Sequence, residues 1–164
     1  MVTTPSGAFS LPLKYLALTI AGSSTFRTAV GAANPTAALS SIHYFSVDNA
    51  NITRPMAVIG WDSAYTLDSE YGGTRNFFDL SGSLFMIYQQ AVTGSTEADS
   101  VFNFTNVIGA ITSEMCVLAG QAGYLDIVNM SLMEGPIRPS DEERQTNSDY
   151  FHIVFNISYR GVAE

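Results

Sequence analysis

The apolar positions of the chain change their period several times, and each change marks an element. Residues 1–10 are polar and contain Gly and Pro, the composition of a loose N-terminal arm. From Leu11 onward Leu13, Leu16 and Ile20 recur at spacings of three and four. That is a helical period, and Pro12 suits the first turn, where a missing N–H goes unused. Gly22, Ser23 and Ser24 then punctuate the chain. Ser24 is placed to cap a second short helix running through Phe26 and Val30 to Gly31. Asn34-Pro35 starts a third, over Thr36–Ser41.

The pattern then becomes β-like. Ile42–Val47 and Pro55–Trp61 are apolar and β-prone, and Ala64–Leu67 reads as the returning arm of a hairpin that turns at Asp62-Ser63. Asp68–Ser81 is rich in Gly and polar residues, an extended loop or a long hairpin tip. Ser83–Gln89 puts Leu84, Met86 and Tyr88 on one face and Phe85 and Ile87 on the other. Two apolar faces fit a central strand or an interface strand.

The clearest helix follows. Thr96 caps it, Glu97 and Asp99 sit near its positive end, and Val101, Phe104, Ile108, Ile111, Met115 and Leu118 form a one-sided stripe up to the Gly120–Gly123 stop. Leu125–Leu132 reads as a strand with Val128, Met130 and Leu132 inward and Asn129 and Ser131 outward, closed by Gly135-Pro136. Arg138–Asp149 is a polar loop. In the final strand Phe151, Ile153, Phe155, Ile157 and Tyr159 alternate with His152, Val154, Asn156 and Ser158. Short connections favour antiparallel pairing, and the long helix supplies an apolar stripe to cover the sheet. The predicted fold is α+β: a two-layer sandwich of a mostly antiparallel sheet against a long helix plus the N-terminal helices, one domain over 1–164 with long loops at 68–81 and 138–149.

Composition narrows the function. Charged residues make up 13% of the 164, about half the usual share, so much of the surface is easily desolvated, as a protein–protein interface requires. The net charge is -8 and Lys14 is the sole lysine, a balance that repels nucleic acid rather than gripping it. With Cys116 as its one cysteine, the chain forms no internal disulfide. No apolar run reaches a membrane-spanning length of about 18 residues, and the start lacks the basic region of a signal peptide. Of the four Asn-x-Ser/Thr triplets, at Asn51, Asn103, Asn129 and Asn156, three fall on predicted helix or strand and read as chance matches in an intracellular protein.

Candidate chemistry is sparse. His43 and His152 are far apart and lack ligand spacing; both read as ordinary strand histidines. Cys116, with no cation or helix N-terminus beside it, reads as a buried, inert thiol. Ser23, Ser24, Ser81 and Ser83 form no nucleophile elbow, and Gly72-Gly73 opens no phosphate loop. Asp62, Asp68, Glu70 and Asp79 are the best group of acids, able in principle to bind a divalent ion or a small ligand or to serve a hydrolase. Their spacing matches no calcium loop, so the preferred reading is a hydrated loop; metal, cofactor and catalytic residues are expected to be absent. Trp61, Tyr65, Tyr71, Phe77 and Phe78 around the same loop either anchor a partner or form a small satellite core.

Four segments together resemble the tail-terminator and tail-completion proteins at the neck of long-tailed bacteriophages. They are LALTIAGSSTFRTAVG at 16–31, RPMAVIGW at 54–61, FNFTNVIGAITSEM at 102–115 and DYFHIVFNISYRG at 149–161, in order and spanning most of the chain. The resemblance implies a non-enzymatic virion subunit, assembled in the host cytoplasm. It forms a ring, usually of six copies, that caps the tail tube and joins it to the head connector. DNA would pass the channel without specific binding, and no membrane is involved. It also implies that partner contacts lie on loops and strand edges, here Asp68, Glu70, Tyr71, Arg75 and Phe77 in one loop and Asp141, Glu142 and Arg144 in the other. The rival readings are another connector or stopper ring subunit, a ligand or metal module with Asp62, Asp68 and Glu70 at its mouth, and a hydrolase using the same acids.

Overall fold

A computed structural model describes residues 10–44, 53–68, 79–137 and 150–162. Helix α1 (Leu11–Gly22) has Pro12 in its first turn and buries Leu13, Leu16, Ala17, Ile20 and Ala21. Helix α2 (Ser24–Ala29) follows after a single extended residue, Ser23. Ser23, not Ser24, is the cap: its hydroxyl accepts the Phe26 N–H at 3.0 Å. The extended conformation needed at that position falls one residue earlier because α1 runs to Gly22. Helix α3 (Pro35–Ala38) is capped by the Asn34 side chain and tightens into a 3-10 turn at Leu39–Ser41.

Five strands make one sheet: β1 (Ile42–Tyr44), β2 (Met56–Asp68), β3 (Asp79–Ala91), β4 (Ile127–Ile137) and β5 (Tyr150–Val162). Their spatial order is β1-β2-β3-β5-β4. The β1–β2 pair is parallel and the other three are antiparallel. Strand β3 is therefore central in the sheet, with Leu84, Met86 and Tyr88 buried toward the helices and Phe85 and Ile87 half-buried on the other face. The hairpin expected at Asp62-Ser63 does not form. β2 continues through it, and the pairing slips between Trp61↔Leu84 and Tyr65↔Gly82. Four steps on β2 face two on β3, so the polar pair is absorbed as a bulge instead of a turn. Both ends of the expected loop are strand, since β2 and β3 extend to Asp68 and Asp79; residues 69–78 lie outside the described residues.

Helix α4 (Glu97–Leu118) lies over the sheet. Thr96 accepts the Asp99 N–H at 3.1 Å, and Ser95 donates to the Asp99 carboxylate at 2.9 Å. The Thr96 and Ser95 hydroxyls hold that carboxyl below its usual range. Phe104, Ile108, Ile111 and Met115 are all buried, each stabilising the fold by about 1.5–3 kcal/mol. Phe104 is sandwiched by rings, 5.8 Å from Tyr88 and 5.5 Å from Phe151. Leu84, Met86 and Tyr88 of β3 and Phe151, Ile153, Ile157 and Tyr159 of β5 complete the same cluster with α1 and Phe26. The final strand's alternation is thus realised as predicted. Cys116 is a correction: it is exposed. Met115 occupies the middle of the buried stripe, and one residue further round the helix is a turn of about 100°, enough to leave the contact.

Candidate functional site

The feature that sets this domain apart from an ordinary helix-on-sheet core is its β4 edge. Of the three residues expected to point into the core, Met130 packs against it but Val128 and Leu132 do not. Val128 is 63% exposed, Leu132 55%, Met133 62% and Ile137 41%. The cause is irregular pairing: β4 slips against β5 at three places, between Ile127 and Asn129, Leu132 and Glu134, and Glu134 and Ile137. Each slip resets which face a side chain takes. Leu132 is opposite Phe155 on the helix side, whereas Ile137 is opposite His152 on the other side. Nor does Gly135-Pro136 end the strand; both residues lie within it, and an edge is where a strand tolerates proline. The repeated bulges and the proline blunt the free backbone edge while apolar side chains remain presented.

Charge is distributed unevenly across the domain. The first 47 residues contain Lys14 and Arg27 and no acid, a net charge of +2. The remaining 117 hold five arginines and all 15 acids, a net charge of -10. The acid-free part builds α1, α2, α3 and β1, and β1 is the sheet edge opposite β4. Glu97, Asp99, Glu114, Asp126 and Glu134 belong to α4, β4 and the connection between them.

Glu114 is the most highly organised acid among the described residues. Its carboxylate accepts from the Ser23 hydroxyl at 2.7 Å, the Ser24 hydroxyl at 2.9 Å, the Thr25 N–H at 3.0 Å and the Thr25 hydroxyl at 2.7 Å. Partial burial pushes the acid's pKa upward, but these four donors outweigh it and hold the group at about 2. The arrangement ties the start of α2 to the last turns of α4, so its role is structural. Sequence reading singled out Ser23 and Ser24 but could not find a partner 90 residues away.

On the sheet face away from the helices, Ser83 donates to the Asn156 carbonyl at 2.7 Å, and the Asn156 amide donates to the Asp62 carboxylate. Asp62 is thereby part of a polar chain across three strands. His152 faces Glu134 at 3.6 Å, an ion pair when the imidazole is protonated, and links β5 to the edge strand. His43 sits within β1.

The remaining sequence candidates separate as follows. Asp68 and Asp79 are cross-strand neighbours at the ends of β2 and β3, on strands and not in a loop. Trp61 packs at the rim of the main core, 6.2 Å from the Tyr159 ring, which favours the core reading for that residue. Glu70, Tyr71, Arg75, Phe77, Phe78, Asp141, Glu142 and Arg144 lie outside the described residues. Among the described residues no three His, Cys, Asp or Glu side chains converge as a metal would require. The exposed strand β4 was missed because its residues look like a regular amphipathic strand until the pairing is known.

No protein-family model matches the sequence, and no curated protein matches it. Among solved structures, a chain of the "Virion of native gene transfer agent (GTA) particle" is similar at 11% identity with a TM-score of 0.46. The match covers 94% of this chain and 98% of that one.

Proposed function

We propose that the chain is a virion structural subunit that works by self-assembly, a tail terminator whose ring caps the tail tube and joins it to the head connector. The observation that carries this reading is the apolar, blunted β4 edge on a domain whose own core is already complete. Such an exposed strip marks a surface made to be covered by protein. The sequence resemblance supports the same reading, because its segments fall on α1–α2, β2, α4 and β5, elements that share the one core. The ring is a closed assembly in which each copy presents two different patches. Its channel is expected to carry more Asp and Glu than Lys and Arg, so that DNA slides through without sticking.

Native mass spectrometry and negative-stain electron microscopy test the proposal. The expected result is a discrete ring-sized oligomer, alone or on the end of tubes assembled from the tail-tube protein. A strict monomer under both conditions defeats it. A connector or stopper subunit is the second reading; it is favoured if the rings bind connector protein and ignore tubes. The ligand-module reading is weaker, since the described carboxylate at its supposed mouth, Asp62, is held by Asn156.

A further inference from the structure

We draw no further inference here: the strongest candidate, the exposed apolar side chains of the β4 edge strand, belongs to the surface already described, divides between the two faces of the sheet, and has nothing in the structure to show what covers it.

Discussion

Single side chains carry separable parts of the stability. Glu114, one of the described acids, sits in an environment unlike water, with four donors on one carboxylate. Its folded-state pKa, about 2, lies below the ordinary 4.5, so its contribution is complete above the unfolded value and fades as pH falls from about 4.5 toward 2. Glu114→Gln should destabilise the fold at pH 7 by about 1–2 kcal/mol, a figure kept small because the group is partly solvated. Urea titrations at pH 7 and pH 3 check this: the gap between variant and parent should narrow at pH 3, and an equal gap would show that the charge is irrelevant. Two glycines make a second contrast. Gly94 has φ +148, and a Cβ there would stand 2.8 Å from the Ser100 backbone nitrogen. Gly109, in mid-α4, has nothing within 4 Å of where its Cβ would go. Gly94→Ala should therefore lower stability by about 2 kcal/mol or more, while Gly109→Ala should raise it by about 0.5–1 kcal/mol. Thermal melts read both signs.

At the scale of elements, α4 was fully legible in the sequence and β4 was not. The α4 cap, first-turn acids and six-position stripe are all local, and a helix realises local information because its hydrogen bonds close within four residues. The stripe's heaviest member is Phe104, stacked on Tyr88 and against the tilted ring of Phe151. Phe104→Ala should cost about 3–5 kcal/mol in a denaturant titration, whereas Phe102→Ala, two residues away and 63% exposed, should change the fold by less than about 0.5 kcal/mol. A similar loss from both would mean that the helix does not sit on the sheet as described. A strand's meaning, in contrast, depends on a partner. The bulge in β2 and the three slips of β4 are set by β3 and β5, which lie elsewhere in the chain, and no reading of residues 61–65 or 127–137 alone contains them.

For the whole molecule, composition speaks to partners before any contact is known. A chain at -8 with one lysine lacks the clustered cations that hold phosphate, so it should leave duplex DNA unshifted on a native gel at micromolar protein and about 0.1 M salt. A retarded band, weakened by added salt, would contradict the acidic-channel reading. The same net charge makes any self-assembly depend on how charge is arranged, and along the chain the arrangement is uneven: the first 47 residues carry no acid and the remaining 117 carry all 15.

The sequence by itself determined the α+β class, the three N-terminal helices, the α4 stripe, the β5 alternation and the acidic net charge. Each is written in local spacing or in summed charge, quantities that need no knowledge of what lies across the fold. Only the tertiary structure decided the strand order, the parallel β1–β2 pair, the donors gathered on Glu114, the outward turn of Cys116 and the exposure of Val128, Leu132 and Met133. Those depend on pairings between residues tens of positions apart, where one slipped residue moves a side chain from core to solvent.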